Sequence, residues 1–141
     1  MDVILSIKPK HVKAIKTGNK HFEFRKVLFR KSVEGVYIYS TSPVKKITGY
    51  FKIGRIIEDL PFNLWEAFHE EAGITKTEFF TYYGNTNRGF AIEIKDAIFF
   101  DVEIDPEDFV PGFSPPQSIR YVEPTELKAI YSLMAKQIRV K

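Results

Sequence analysis

The most informative stretch of the chain is Gly18-Asn19-Lys20-His21-Phe22-Glu23-Phe24-Arg25. Its two phenylalanines stand at alternate positions, as on the buried face of a β-strand, and Glu23 and Arg25 share the opposite face. A carboxylate beside a guanidinium can accept a base N–H while the arginine binds a phosphate or carbonyl. The stretch therefore predicts a strand over 20–25 that carries a polar recognition site. The alternative is a structural ion pair at one end of a barrel.

Lys20 requires a separate argument, because strict alternation places it on the face opposite Glu23. The lysine follows directly after Gly18, where the chain is still turning, and its four-carbon side chain can reach around the edge of the strand. We therefore predict that Lys20, Glu23 and Arg25 converge on one concave surface. For Lys20 taken alone, an exposed position at the strand end is the simpler expectation.

The residues before this stretch predict a buried strand followed by a short helix. Residues 3–7 form an apolar run, and Pro9 has the φ angle favoured in the first turn of a helix. The helix is expected over 10–17, with two apolar residues on one face. Gly18 stands where a left-handed helix cap belongs, so the helix should end there.

The rest of the chain contains further strands and clustered helices. Strands are predicted over 35–41, 46–57 and 89–100, and helices over 62–72, 76–83 and 125–136. Most of the strands are not separated by crossover helices. This order favours an α+β domain built around a closed or nearly closed sheet.

The composition narrows the classes of protein and of site. The chain has 141 residues, 44% of them apolar, which is enough to form one domain with its own core. It contains no cysteine, which excludes disulfides, thiolate metal sites and a cysteine nucleophile. Its three histidines lack the spacing of metal ligands, so we predict neither a metal nor a cofactor.

The positive charge is concentrated in the first quarter of the chain. Residues 1–34 contain nine Lys and Arg against three acids, whereas residues 35–141 contain 12 against 15. A positive lobe on a mildly acidic body is typical of proteins that bind a phosphate-bearing partner. A solvated lysine-rich face is the alternative.

No window of the sequence approaches the ~20 apolar residues that a membrane helix needs. The N-terminus also lacks the basic lead and cleavage site of a signal peptide. We therefore expect a soluble, cytoplasmic protein without a membrane partner.

The N-terminal part of the chain consists of Leu5-Ser6-Ile7-Lys8-Pro9, a helix, and then Gly18-x-Lys20-x-x-Glu23-x-Arg25. This order resembles the N-terminal signature of ASCH domains. The stretch from Pro115 to Tyr121, with its Pro-Gln-Ser sequence, is similar to late strands of PUA-like domains. The resemblance covers about residues 3–123. It implies a single domain over 1–141, with the last helix, about 124–137, as a C-terminal addition.

This resemblance implies a PUA-like mixed β-barrel flanked by helices, and an RNA-binding role. The leading hypothesis is a module that holds a nucleotide or a single-stranded RNA element in a basic cleft. An aromatic side chain would receive one unpaired base. The residues expected to contact the RNA or nucleotide are Lys8, Lys20, Glu23, Arg25, Lys26, Arg88 and Arg120. The sequence identifies neither the RNA nor a protein partner.

An enzyme is the alternative, with Lys20 and Glu23 as catalytic residues. One branch of the resembled family is an N4-acetylcytidine amidohydrolase with a lysine at the position of Lys20 and a threonine where this chain has Glu23. Glu70 or Glu71 would supply its further carboxylate. Another branch is a ribonuclease that uses a lysine, a tyrosine and a serine, which implies metal-independent RNA cleavage by Lys20 with partners that the sequence does not identify.

Overall fold

The computed structural model describes residues 1–116 and 119–140, and the side chains up to residue 135. Within these residues the strands are β1 (Asp2–Ile7), β2 (Phe22–Arg25), β3 (Gly35–Ser40), β4 (Lys46–Asp59), β5 (Gly89–Ile104) and β6 (Ile119–Tyr121). The α-helices are α1 (Pro9–Lys16), α2 (Pro61–Phe68), α3 (Lys76–Tyr83) and α4 (Pro124–Val140), and short 3-10 turns cover His69–Glu71 and Pro106–Asp108.

The described strands form one mixed sheet in the order β2-β5-β4-β3-β1-β6. Strands β1 and β3 are parallel, and the other neighbours are antiparallel. The sheet curls into a half-barrel, so its two ends approach one another. The guanidinium Nη2 of Arg25, on edge strand β2, donates to the backbone carbonyl of Ser6 on β1 at 3.0 Å. The predicted α+β fold is confirmed.

The predicted elements agree with the observed ones to within a few residues, with three differences. The strand expected over 20–25 begins only at Phe22, because the backbone N–H of Lys20 is still bonded to Ala14 of the preceding helix at 3.0 Å. The helix expected over 62–72 changes to a 3-10 turn after Phe68. Strand β5 is longer than expected and continues to Ile104, since bulges in β4 maintain the pairing.

The core has three apolar clusters, one beneath each group of helices. The first joins α1 to β1 and β3, the second joins α4 to the opposite side of β1, and the third packs α2 and α3 against β2 and β5. Phe79 of α3 is fully buried and contacts Phe24 of β2 edge to face, with ring centroids 5.0 Å apart. Helix α3 is thereby held against β2. Gln117 and Ser118, from the Pro-Gln-Ser stretch, lie outside the described residues.

Candidate functional site

A cleft of about 490 Å³ opens where α1, β2 and α3 meet the end of β1. Its walls come from all four elements and from the turn before α3. The lining residues are Ser6, Ile7, Lys8, His11, Lys20, Glu23, Phe24, Arg25, Ile74, Thr77, Glu78, Thr81 and Tyr82. The cleft therefore contains the predicted trio of Lys20, Glu23 and Arg25.

Lys20 is buried in the wall of this cleft, with only 2% of its surface exposed. The expectation of an exposed strand-end lysine was wrong. The Nζ donates to the carbonyl of Ala72 at 3.0 Å and lies 3.5 Å from the carboxylate of Glu23. It also lies 5.2 Å from the ring centroid of Phe24. These contacts compensate the cost of burying a charge.

Two backbone contacts explain how Lys20 comes to be buried. Lys20 forms an isolated antiparallel bridge with Ala72, next to a glycine with a positive φ of 66°. A Cβ on Gly73 would lie 2.5 Å from the Cβ of Lys20. Only glycine fits this close approach without displacing the buried lysine. Ala72 and Gly73 together cover the lysine.

Glu23 lies between the two cations and is 6% exposed. Its carboxylate accepts from Nη2 of Arg25 at 2.7 Å, and its other oxygen faces Lys20. Burial by itself raises the pKa of Glu23, but Arg25 and Lys20 outweigh it and hold the pKa below the ordinary value. Glu23 is therefore ionised at neutral pH.

The trio carries two positive charges and one negative charge when Lys20 is protonated. Burial lowers the pKa of Lys20, and the nearby carboxylate of Glu23 opposes this effect. The cleft thus has an excess of positive charge in a region of restricted water access. Such a site is suited to an anion, and its lysine can lose a proton more readily than an exposed one.

The rim of the cleft is formed by polar contacts between α1 and α3. Nζ of Lys10 donates to Glu78 at 2.7 Å, and Nε2 of His11 lies 3.8 Å from the same carboxylate. Burial lowers the pKa of His11, and the charge of Lys20 lowers it further. His11 therefore contributes a neutral imidazole to the wall at neutral pH.

Tyr82 of α3 supplies an aromatic side chain at the other side of the cleft, and it is 41% exposed. Its hydroxyl accepts from the backbone N–H of Lys26 at 3.2 Å. The Nζ of Lys26 lies 4.9 Å from the centre of the Tyr82 ring. A partly exposed ring beside cations is the type of surface on which an unpaired base stacks.

The structure brings together five of the seven predicted contact residues. Lys8 lines the cleft with the trio, and Lys26 adjoins it through Tyr82. Arg88 and Arg120 do not line the cleft. Arg88 lies 3.5 Å from Glu58, where the end of β4 pairs with the start of β5. Arg120, on β6, donates twice to the carboxylate of Glu126 on α4.

The carboxylates expected for an amidohydrolase lie elsewhere. Glu71 is 3.3 Å from His21 on an exposed surface, and neither Glu70 nor Glu71 lines the cleft. Glu78 of α3 is the carboxylate that does, together with Glu23. The carboxylate expected from Glu70 or Glu71 is thus not in the cleft, and Glu23 stands where the amidohydrolase has a threonine.

Sequence reasoning missed the contribution of α3 to the cleft. Thr77, Glu78, Thr81 and Tyr82 share one face of this helix, opposite the buried Phe79 and Tyr83. Their spacing of i, i+1, i+4 and i+5 was a readable signal of a polar face. It could not reveal that this face turns toward β2, because that depends on how Phe79 packs against Phe24.

Comparisons with known proteins agree with this architecture. A curated relative, the ASCH domain-containing ribonuclease of Zymomonas mobilis, is 25% identical over 96% of this chain and 93% of its own length. A crystal structure of ASCH from Zymomonas mobilis superposes with a TM-score of 0.87, at 26% identity, covering 94% of both chains. The large ribosomal subunit protein uL22 of Ureaplasma parvum is 26% identical over 67% of this chain, but only 31% of its own length is covered.

The family model described as the ASCH domain matches residues 5–103. This range runs from the second half of β1 almost to the end of β5 and contains every residue that lines the cleft. No helix within the described residues is long and apolar enough to cross a membrane. The chain belongs to the ASCH domain family.

Proposed function

We propose that this protein is an RNA-binding module that holds a nucleotide or a single-stranded RNA element in the cleft, and that it acts in the cytoplasm. The observation that carries the proposal is the trio at the base of the cleft, in which Lys20 and Arg25 flank the single carboxylate of Glu23. The excess positive charge favours a phosphate, and the carboxylate offers an acceptor for a base N–H.

The cleft offers one contact for the phosphate of a nucleotide and another for its base. Lys8 is exposed at the rim, where α1 begins, and can reach a phosphate. Tyr82 presents a ring of sufficient exposure for stacking. The volume of about 490 Å³ lies within the range of small-molecule sites, so one nucleotide can enter.

A titration against short RNAs and single-stranded DNAs at several salt concentrations tests this function. Affinity should fall linearly on logarithmic axes as salt rises, because each phosphate contact releases counterions. If the site contacts the 2′-hydroxyl, RNA should bind more tightly than DNA of the same sequence. The absence of binding to any of these at low salt would remove the proposal.

A matched pair of substitutions at Tyr82 tests the stacking role. Tyr82→Ala removes the ring and should weaken RNA binding by about 1–3 kcal/mol, the usual contribution of one stacked base. Tyr82→Phe keeps the ring and loses the hydroxyl that bonds to the backbone N–H of Lys26, so it should bind a mononucleotide nearly as well as the wild-type protein. Equal losses in the two variants would assign the effect to the hydroxyl and its bond to Lys26.

A second function, metal-independent RNA cleavage, is favoured by the similarity to the ASCH domain-containing ribonuclease of Zymomonas mobilis, which aligns with 96% of this chain. The lowered pKa of Lys20 suits a general base. Tyr82 and Ser6 are the tyrosine and the serine that line the cleft with it. Ser6 donates its hydroxyl proton to the carbonyl of Pro116 at 2.6 Å, so it serves here as a positioning group.

The reaction that these groups can support is an internal displacement at phosphorus. The neutral amine of Lys20 takes the proton of the 2′-hydroxyl while the 2′-oxygen bonds to phosphorus. The bond from phosphorus to the 5′-oxygen breaks, and Tyr82 gives that oxygen a proton. The products are a 2′,3′-cyclic phosphate and a free 5′-hydroxyl, and Arg25 stabilises the charge on the phosphoryl oxygens.

Incubation of RNA with the protein in the presence of a chelator tests this reaction. Lys20→Met should lower cleavage by at least ~100-fold, the usual effect of losing a general base. Lys20→Arg keeps the charge but remains protonated, so it should be equally inactive. Cleavage by Lys20→Arg at the wild-type rate would show that charge alone is needed. No cleavage by the wild-type protein would leave the binding function alone.

A further inference from the structure

The loop between β2 and β3 carries a basic surface that begins at the cleft and leads away from it. Lys26, Arg30 and Lys31 are exposed, and among the described residues none of them forms an ion pair with a carboxylate. Their positive charges are therefore available to a ligand. We call residues 26–31 the basic loop.

The basic loop is held in place by tyrosines at both ends. At the cleft, Lys26 donates its backbone N–H to the hydroxyl of Tyr82 and places its ammonium 4.9 Å from that ring. At the far end, the backbone N–H groups of Arg30 and Lys31 donate to the hydroxyl of Tyr121 at 2.8 and 3.2 Å. The ammonium of Lys31 lies 5.1 Å from the Tyr121 ring.

The middle of the basic loop fixes which way its side chains point. Leu28 and Phe29 are partly buried and pack against the cluster that joins α1 to the sheet. Val27 is 75% exposed, so an apolar side chain also stands on the outer surface beside Lys26. The loop is thus a supported segment whose cations and one apolar group face outward.

These two ends lie at the two edges of the sheet. Tyr82 faces β2 across the cleft, whereas Tyr121 belongs to β6, where it pairs with Val3 of β1. Five residue steps can span at most about 17 Å. At about 3.4 Å per stacked nucleotide, this is the length of up to about five nucleotides.

We propose that the basic loop is a track for the backbone of a single RNA strand, which runs from the cleft at Tyr82 to a second stacking position at Tyr121. This inference rests on the proposed function and adds a direction and a length to it. Cations at intervals bind successive phosphates, and an aromatic ring at each end receives a base. The site therefore takes a strand of several nucleotides in preference to a free nucleotide.

Binding of a mononucleotide, a trinucleotide and a hexanucleotide RNA at 0.15 M salt tests the track. The wild-type protein should bind the hexanucleotide more tightly than the mononucleotide. The double variant Arg30→Ala/Lys31→Ala should weaken hexanucleotide binding roughly tenfold, because each single-strand phosphate contact contributes about a factor of four at that salt. Its affinity for the mononucleotide should be unchanged, since neither residue lines the cleft.

Two controls make the result specific. Lys128→Ala removes an exposed cation from α4, which packs on a different cluster of the core, and should leave both affinities unchanged. Tyr121→Phe keeps the ring but frees the backbone N–H groups of Arg30 and Lys31, so it should weaken only the longer strands. Far-ultraviolet circular dichroism and the midpoint of urea unfolding verify that each variant is folded.

The outcomes separate the track from the proposed function. If mononucleotide and hexanucleotide bind equally well to the wild-type protein, or if the double variant binds the hexanucleotide like the wild type, the track is wrong and the cleft function stands. If the wild-type protein binds no RNA of any length, both are wrong. A selective loss with the hexanucleotide supports both.

Discussion

Two arginine–glutamate pairs lie near opposite edges of the sheet and differ in their balance of charge. In the cleft, Glu23 is shared by Arg25 at 2.7 Å and Lys20 at 3.5 Å, so a positive charge is left over. Beside β6, Arg120 contacts Glu126 through two hydrogen bonds of 3.1 and 2.6 Å, and the charges cancel.

The difference shows which ion pair can serve a ligand. The Arg120–Glu126 pair satisfies both partners and ties β6 to α4, and the Arg120 guanidinium also lies over the ring of Phe113. The Glu23 network borders an open volume and can exchange one of its contacts for those of a phosphate or base. An unbalanced buried network beside a cleft is therefore a better indication of a site than an arginine–carboxylate pair alone.

The largest expected effect is the loss of stability when the shared carboxylate is neutralised. Glu23→Gln leaves two cations together in a buried position and should lower the free energy of unfolding by about 3–5 kcal/mol. Glu126→Gln breaks a more exposed pair and should cost about 1 kcal/mol. Urea denaturation at pH 7 measures both, and equal losses would contradict the distinction between the two networks.

A smaller effect is expected from the glycine that covers Lys20. Gly73→Ala introduces a Cβ 2.5 Å from the Cβ of the buried lysine and should lower the free energy of unfolding by about 2–4 kcal/mol. Gly18→Ala is the matched control, since Gly18 also has a positive φ but its Cβ would meet no atom within 4 Å. It should cost only about 1–2 kcal/mol. Comparable costs would mean that the lysine moves aside freely.

The pH dependence of stability reports on the buried ammonium. Burial lowers the pKa of Lys20 from 10.5, so between the lowered pKa and 10.5 the unfolded chain binds more protons than the folded protein. The stability of the wild-type protein should therefore rise with pH in this window relative to Lys20→Met, by at most about 1.4 kcal/mol per pH unit. Urea denaturation of both proteins from pH 7 to 10 measures this, and a constant difference would place Lys20 in water.

The smallest expected effect is the difference in RNA affinity between removing a cation of the cleft and removing a cation held in an ion pair elsewhere. Lys8→Ala removes an exposed cation at the rim and should weaken RNA binding about fourfold at 0.15 M salt. Arg88→Ala removes a cation that is paired with Glu58 outside the cleft lining, and should change the affinity less than twofold. Fluorescence anisotropy with a labelled hexanucleotide measures both variants. A larger loss from Arg88→Ala would extend the binding surface to the start of β5.

The sequence by itself determined the fold class, most elements and the three residues at the base of the cleft. This was possible because strand alternation, helix caps and the spacing of Gly18, Lys20, Glu23 and Arg25 are properties of neighbouring residues. The same local patterns could not show which of the other predicted cations lie in the cleft. Arg120 was predicted at the site with the others, but its carboxylate partner on α4 is visible only in the folded chain.

The tertiary structure decided what surrounds these residues. Lys20 is buried because Ala72 and Gly73, more than fifty positions away, close over it, and the partner carbonyl lies at a sequence separation of 52. Tyr82 faces the cleft because Phe79 packs on Phe24, and the basic loop is held because Tyr82 and Tyr121 come to its two ends. The burial of these residues depends on contacts between distant segments, so no local pattern encodes it.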